Sequence, residues 1–178
     1  MIGNSSIFSD VKDDNLIDVT NEDIKYYHGS SVVVDNPKII INKNYKDFVY
    51  GFYVTKFKKQ AEKWARRNLI YNKSAIISCF KLNDCLDLNV KVFKDPTDEW
   101  IDFIGNCRNG KLHEFDIVEG PMTDDKVFLF AEQYFRGELS RDEFRVICEF
   151  RKPTHQICFC TEKSLAYLEF LGSYKIEK

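Results

Sequence analysis

The order of strand and helix signals along the chain constrains its fold more than any other feature. Runs of β-branched and aromatic residues predict strands over 24–28, 51–54, 74–81, 85–92, 115–119 and 156–160, with a short β-branched segment at 38–41. Amphipathic runs that follow capping residues predict helices over 58–69, 98–106, 126–136, 141–150 and 162–170. The two kinds of element mix without a regular β-α-β rhythm, which favours an α+β fold over a doubly wound parallel sheet.

Length and charge bound the organisation of the chain. At 178 residues it is predicted to form one domain with a sizeable core. The net charge of −2 gives no overall electrostatic case for binding nucleic acid or a membrane. Residues 1–25 are rich in Asp, Asn and Ser and hold six acidic residues against two lysines. They are predicted to form a loosely attached acidic N-terminal arm, followed by a domain over 26–178.

The six cysteines indicate a reducing compartment. They form no Cys-x-x-Cys pair and no zinc-finger spacing, so no metal site is predicted. Cys158 and Cys160 would share one face of a strand, where a mutual disulfide is unfavourable. No apolar run is long enough to span a membrane. A soluble, cytoplasmic protein without a membrane partner is expected, and delivery as an effector would require a separate signal.

Two short strings carry the chemistry. In Tyr27-His28-Gly29-Ser30, a ring donor stands beside a bare backbone that a flat ligand can approach closely. Some twenty-five residues later, Gly51-Phe52-Tyr53-Val54-Thr55 forms a predicted strand with a helix behind it. This order resembles the NAD-binding half of the ADP-ribosyltransferases, especially the diphtheria-toxin and poly-ADP-ribose-polymerase branch with its His-Tyr-Glu triad. The resemblance implies a split pair of β-sheets with peripheral helices and NAD in the cleft between them.

The resemblance also implies roles for individual residues. The triad His corresponds to His28, which would bind the adenine-side ribose, and Gly29 would pair its backbone with the nicotinamide amide. The triad Tyr corresponds to Tyr53, against which nicotinamide packs. A second aromatic residue, eleven positions further on in this family, corresponds to Trp64 and would cover the other nicotinamide face. Ser30 and Thr55, which adjoin these positions, are predicted to contact NAD as well.

The third triad position departs from the family. It corresponds to Gln156, at the start of the predicted strand over 156–160, where the triad has Glu. An amide can hold the ribose 2′-hydroxyl but adds no negative charge, and it cannot act as the base that polymerising relatives need. Transfer of one ADP-ribose unit is therefore expected rather than polymer synthesis. Either Gln156 or a nearby carboxylate would serve the reacting ribose, and Gln156→Glu is expected to keep or raise NAD hydrolysis.

A closer resemblance extends over residues 26 to about 170. A bacterial family assigned to the same superfamily by similarity carries five ordered motifs, which correspond here to residues 27–30, 47–55, 60–65, 116–125 and 156–161. Together they are specific, although none is specific alone. That family has Gln at the position of Gln156, and it usually has Gly where this chain has Val49. The exchange at Val49 predicts a stiffer loop before Tyr53.

Several candidate residues have structural alternatives. Trp64 could belong to the core of an amphipathic helix. Asp124 and Asp125 could provide the missing carboxylate or contact NAD, or they could cap the helix that follows. Arg108 could bind an NAD phosphate or form an ion pair with Asp102 or Asp116.

The sequence thus predicts an NAD-dependent mono-ADP-ribosyltransferase with NAD as its substrate and a protein or nucleic acid as its acceptor. Such a protein would act as a bacterial toxin, an effector or a phage-defence component, and an antitoxin would be a further partner. The alternative is a non-catalytic interaction module that binds NAD or ADP-ribose and whose missing Glu reflects lost chemistry.

Overall fold

The computed structural model describes residues 25–41, 45–85, 87–123, 125–149 and 154–177. The acidic arm predicted over 1–25 lies outside these residues except for Lys25, and Asp124 lies outside them as well. No helix within the described part of the chain combines the length and the apolar character needed to cross a membrane.

The described residues form a mixed α+β fold, as predicted. The strands are β1 (Tyr26–Ser30), β2 (Phe52–Val54), β3 (Ala75–Leu82), β4 (Val90–Val92), β5 (Ile117–Gly120), β6 (Gln156–Phe159) and β7 (Leu168–Ile176). The α-helices are α1 (Lys58–Arg66), α2 (Asp98–Arg108), α3 (Asp125–Phe135), α4 (Arg141–Glu149) and α5 (Glu162–Leu165). A 3-10 helix, Arg67–Tyr71, continues α1 directly.

The strands form two separate sheets. One has the order β1-β3-β7 and is antiparallel throughout. The other has the order β2-β6-β5-β4, in which only β4 and β5 run parallel among the strands described. Among the described residues, a single backbone bridge joins the sheets: the Tyr27 N–H donates to the Thr55 carbonyl at 2.8 Å and the Thr55 N–H donates to the Tyr27 carbonyl at 3.0 Å. Beyond this bridge, β1 and β2 separate.

Apolar side chains from both sheets hold them together. Phe52 and Phe159 of one sheet pack with Phe80 of the other in a buried cluster. A second cluster, which includes Trp100 of α2 and Phe144 of α4, covers the outer face of the β2-β6-β5-β4 sheet. On the other sheet, the small residues of α1 allow a close approach to β1 and β3. The helices therefore lie outside the pair of sheets.

Glycine sets the distance between α1 and β1. A Cβ atom built on Gly29 would lie 2.3 Å from the carbonyl oxygen of Ala61 and 3.0 Å from the backbone nitrogen of Ala65. Any larger residue would push the helix away from the strand. The absence of a side chain at Gly29 is thus required first by helix packing.

The predicted C-terminal helix over 162–170 is wrong beyond Leu165. A capping box at Thr161 and Ser164 starts a single helical turn, and the chain then enters the nine-residue strand β7. The residues of β7 alternate between half-buried and exposed along most of its length. The good helix formers at its start are overridden because β3 offers a pairing edge from Ala75 to Leu82.

Several strand boundaries also differ from the prediction. The segment over 38–41 forms no strand, and the strand predicted over 85–92 shrinks to β4. Strand β1 begins two residues later than predicted and continues through Ser30. His28 and Gly29 therefore lie inside a strand, at the point where that strand loses its neighbour on one side.

Candidate functional site

A cleft of about 350 Å³ opens where β1 and β2 separate. Its walls come from both sheets and from α1. The structure brings seven of the predicted site residues to this one cleft: His28, Gly29, Tyr53, Thr55, Trp64, Arg108 and Gln156. These residues come from four distant parts of the chain, so the cleft is a tertiary feature of the fold.

The neutral ring of His28 is fixed in one tautomer. Its Nδ1 lies 2.8 Å from the carbonyl oxygen of Tyr53, which can only accept, so Nδ1 carries the proton. The ring packs on Phe52 with centroids 4.5 Å apart. Burial lowers the pKa of His28, and Lys46 lowers that pKa further, while the bond to Tyr53 opposes the shift. At neutral pH the imidazole is uncharged and its Nε2 is a hydrogen-bond acceptor.

Gly29 presents a stretch of strand edge that pairs with none of the residues that the structure describes. Tyr27 uses its N–H and carbonyl to bond Thr55, so Tyr27 and Cys79 form a non-hydrogen-bonded pair in the β1–β3 ladder. Two residues on, Gly29 opposes Ile77 in the same way, and its N–H and carbonyl point toward the cleft. One donor and one acceptor of the backbone are therefore directed at a ligand.

Tyr53 lies with its ring along the cleft and its hydroxyl in the loop before β2. The hydroxyl donates to the Val49 carbonyl at 3.1 Å and accepts from the Phe48 N–H at 3.2 Å. Val49 has φ of 65°, a strained value for a β-branched residue and one that suits glycine. Burial raises the pKa of Tyr53 well above its usual value, so the hydroxyl stays protonated.

The rings of Tyr53 and Trp64 each contact a cationic side chain. The ammonium of Lys46 lies 4.8 Å from the ring centre of Tyr53, and the guanidinium carbon of Arg67 lies 3.8 Å from that of Trp64. Trp64 is 40% exposed, so it is not a core residue of α1. Both rings thus lie in an electrostatic environment that accepts a positive group against their faces.

A buried carboxylate stands at the base of the cleft. Asp47 is 4% exposed and accepts from the Arg108 side chain through Nε at 3.0 Å and Nη2 at 2.5 Å. It also accepts from the Thr123 N–H at 2.9 Å and from the Thr123 hydroxyl at 2.6 Å. A fifth bond comes from Gln156 Nε2 at 2.9 Å. Five hydrogen-bond donors hold this buried carboxylate in one position.

The same contact fixes the amide of Gln156. Its Nε2 donates to Asp47 and, at 3.1 Å, to the carbonyl of Pro121. Both partners are pure acceptors, so the amide cannot be flipped. Both amide hydrogens are used, and no donor among the described residues bonds Oε1. Gln156 therefore offers the cleft a hydrogen-bond acceptor.

Gln60 joins α1 to the start of β6. Its Nε2 donates to the His155 carbonyl at 2.6 Å, and its Oε1 accepts from the His155 N–H at 3.1 Å. The side chain of His155 lies near Glu119 instead of the cleft, with Nε2 2.8 Å from a carboxylate oxygen. Gln60 thus fixes the helix that carries Trp64 relative to the strand that carries Gln156.

Three of the predicted residues are not among the described residues that line the cleft. The hydroxyl of Ser30 bonds the carbonyl of Val32 in a local turn. Asp124 lies outside the described residues, and Asp125 begins α3 with a side chain that is also outside them. Arg108 does line the cleft, but its ion pair is with Asp47 rather than with either predicted partner.

Several cleft residues were not predicted: Tyr45, Lys46, Asp47, Gln60, Met122 and Thr123. A signal existed for two of them, because Asp47 and Gln60 are the first residues of two of the ordered motifs. Nothing in the local sequence pairs Asp47 with Gln156, which is 109 residues away.

Comparisons with curated proteins and with solved structures give no significant match. A family model does match: the family described as "Protein of unknown function (DUF3990)" covers residues 24–170. The matched range includes every cleft residue described above and most of the chain. The chain belongs to the DUF3990 family.

Proposed function

We propose that the cleft binds NAD and that the protein transfers one ADP-ribose unit from NAD to a macromolecular acceptor. The proposed fold is an ADP-ribosyltransferase-like pair of split sheets with peripheral helices. The observation that carries the proposal is the convergence of His28, Gly29, Tyr53 and Gln156 at one cleft of about 350 Å³, a volume typical of small-molecule sites. These are the residues that the resemblance to the ADP-ribosyltransferases selects.

The nicotinamide end of NAD fits the separated edge of β1. A carboxamide has one carbonyl and one amino group, and these complement the N–H and the carbonyl of Gly29. The flat pyridinium would then lie between Tyr53 and Trp64, whose faces attract a cation. Lys46 stands over the Tyr53 ring in the free protein, so the proposal requires the lysine to leave this face when the ring enters.

Ribose hydroxyl groups would be held by two acceptors. The bare Nε2 of neutral His28 and Oε1 of Gln156 both lack a proton, so each suits a hydroxyl donor. In the ADP-ribosyltransferase arrangement, His28 serves the adenine-side ribose and Gln156 serves the ribose that reacts. Both groups have fixed orientations, which preorganises the site.

In the reaction, the bond between the nicotinamide nitrogen and the anomeric carbon breaks, and its electron pair leaves with nicotinamide. Positive charge develops on the ribose and is stabilised by nearby negative charge. Asp47 supplies that charge through Gln156, because a carboxylate bonded to the amide N–H makes the amide oxygen more negative. The acceptor nucleophile then bonds the anomeric carbon and releases its proton.

Asp47 is itself engaged by Arg108 and Thr123, which leaves no unpaired carboxylate among the described cleft residues. This favours transfer of a single unit over polymer synthesis, which needs a base for each added unit. The same observation supports the second candidate, a module that binds NAD or ADP-ribose without cleaving it. The proposed setting is cytoplasmic, with a role as a toxin, effector or phage-defence component.

Release of nicotinamide distinguishes the two candidates. The purified protein is incubated with NAD labelled in the adenine ring and with a cell lysate, and free nicotinamide and macromolecular label are measured. Transfer predicts both products in the wild type and neither in His28→Ala or Gln156→Ala. A protein that binds NAD or ADP-ribose but releases no nicotinamide would be the binding module, and one that binds neither ligand would exclude both candidates.

A further inference from the structure

We propose that the acceptor is a single-stranded nucleic acid and that it binds the basic surface formed by residues 56–73, which include α1 and the 3-10 helix after it. This inference rests on the proposed function, because it identifies the acceptor for the same cleft.

The basic surface has a charge opposite to that of the whole chain. The chain has a net charge of −2, whereas residues 56–73 contain seven basic residues and one acidic residue. Six of the basic residues are exposed: Lys56, Lys58, Lys59, Lys63, Arg66 and Lys73. The acidic residue, Glu62, is only half-buried, but its carboxylate accepts from the Tyr174 hydroxyl at 3.0 Å. A backbone of phosphates would meet concentrated positive charge here.

The basic surface adjoins the cleft. At 3.6 residues per turn, Lys59, Lys63 and Arg66 fall within about 60° of one another around α1. Arg67 lies beside this stripe and covers one face of Trp64, which lines the cleft. The guanidinium of Arg67 thus connects the cations of the helix to the rim of the cleft. A strand that follows the stripe would pass the position where the proposed reaction occurs.

Exposed rings favour nucleic acid over an acidic protein. Tyr71, at the end of the 3-10 helix, is 73% exposed, and its neighbour Ile70 is 78% exposed. Flat, exposed aromatic side chains among cations stack on unpaired bases. Every nucleotide carries a base with a flat face, whereas an acidic peptide carries none. Bases held inside a duplex cannot stack in this way, so the surface fits a single strand.

The transfer step balances without another reagent. A nitrogen or oxygen nucleophile of the strand bonds the anomeric carbon of the ribose as the bond to nicotinamide breaks. The electron pair of the broken bond leaves with nicotinamide, and the proton of the nucleophile passes to solvent.

The first test measures binding alone, without NAD. Fluorescent 20-mer RNA and DNA single strands are titrated with the full chain at several salt concentrations. The triple variant Lys59→Glu/Lys63→Glu/Arg66→Glu should bind about tenfold to a hundredfold more weakly at 0.1 M salt. The slope of log affinity against log salt concentration should be smaller in magnitude by about 2, because each lost phosphate contact on a single strand reduces that slope by about 0.7.

A matched control changes the same charge elsewhere. Lys38→Glu/Lys94→Glu/Lys111→Glu reverses three exposed lysines outside residues 56–73 and should bind nearly as well as the wild type. Charge reversal could disturb α1, and circular dichroism measures whether it does. The milder variant Lys59→Gln/Lys63→Gln/Arg66→Gln removes the same charges without reversing them. Tyr71→Ala should weaken binding about fivefold or more if the ring stacks on a base. Equal binding by the wild type and both stripe variants would overturn the proposal.

The second test follows the label from NAD into purified total RNA or heat-denatured DNA. We expect label that nuclease removes and protease does not. The stripe variants should not transfer label to the nucleic acid, but they should still release nicotinamide slowly by hydrolysing NAD with water. Label found only on added protein would overturn the nucleic-acid assignment and leave the transferase intact. If no nicotinamide is released at all, the proposed function fails, whereas the binding result remains a separate measurement.

Discussion

The side-chain amide of Gln156 donates a 2.9 Å hydrogen bond to the buried carboxylate of Asp47. The negative charge that a Glu would bring to position 156 is therefore carried by Asp47, which is hydrogen-bonded to the amide. Gln156 and Asp47, which are 109 positions apart in the chain, can together provide the acceptor and the negative charge that a single Glu would provide. In the proposed reaction the amide oxygen would accept the ribose hydroxyl, and the carboxylate of Asp47 would orient and polarise the amide.

Asp47→Asn should separate catalysis from binding. We expect nicotinamide release to fall by about a hundredfold, the usual effect of removing one electrostatic group from a reacting centre, with NAD affinity changed only a few-fold. Arg108 also loses its ion pair with Asp47, so the free energy of unfolding should fall by about 3 kcal/mol. Calorimetry with NAD, a nicotinamide assay and thermal melts measure the three effects.

Thr123→Val is the matched control for this change. It removes the hydroxyl that donates to Asp47 and accepts from Arg108, and it keeps the charge of Asp47. It should cost about 2 kcal/mol of stability and little turnover. Full turnover in Asp47→Asn would remove Asp47 from the mechanism.

Gln156→Glu should lower turnover, contrary to what the sequence predicts. The new carboxyl would face Asp47 and the Pro121 carbonyl, which now accept from the amide nitrogen. Repulsion would raise the pKa of the new carboxyl above its unfolded value of about 4.3. The protonated form would then favour the folded state, so the variant should lose stability as the pH rises from about 4.3 through the folded pKa.

Thermal melts at pH 5 and pH 8 measure this loss in Gln156→Glu. Gln156→Ala, which adds no titrating group, should show no extra loss between these two values. Hydrolysis by Gln156→Glu at or above the wild-type rate at pH 8 would mean that the amide of Gln156 is not fixed by Asp47.

Binding of NAD should weaken at acid pH through His28. Burial lowers the pKa of His28 below its usual value near 6.5, and protonation would turn the acceptor Nε2 into a donor. Affinity should be constant above pH 6.5 and fall only as the pH drops through the lowered pKa. Stability should begin to fall at higher pH, from about 6.5 down to the lowered pKa, because in that range the unfolded chain binds more protons than the folded one. Calorimetry in His28→Ala should show weak binding without this pH dependence.

Trp64→Ala should weaken NAD binding by about 1–3 kcal/mol, the range for loss of a stacking partner. Trp64→Phe keeps a flat ring and should retain most of the affinity. The side chain of Trp64 is 40% exposed, so neither change should alter the melting temperature by much. Unchanged affinity in both Trp64→Ala and Tyr53→Ala would place the pyridinium elsewhere.

Gly29→Ala should destabilise the protein by about 1–3 kcal/mol, because its Cβ would lie 2.3 Å from the carbonyl oxygen of Ala61. NAD affinity should fall as well, since α1 carries Trp64 and must move. Ser30→Ala is the neighbouring control, and its exposed hydroxyl makes only a local bond. A melting temperature unchanged by Gly29→Ala would show that α1 does not pack on β1 at this distance.

The α+β class, α1 and the strands around His28, Tyr53 and Gln156 could be predicted from sequence, because their signals are local. Hydrophobic periodicity and capping residues act over a single element. Strand β7 was missed because its first residues favour a helix and only the distant β3 edge reverses that preference. Chain order alone could not reveal that Asp47 lies beneath Gln156, since the contact depends on how the loop before β2 meets the start of β6 in the folded protein.

The single bridge between Tyr27 and Thr55 has a consequence for the energetics of the fold. A sheet that stayed paired past this point would satisfy the backbone of Gly29 internally and would leave no edge to be recognised. The separation therefore leaves the β-ladder incomplete at Gly29 among the described residues. A carboxamide that bonds Gly29 would complete that ladder by one step, as an extra strand residue would, so recognition of the ligand and completion of the sheet are one event.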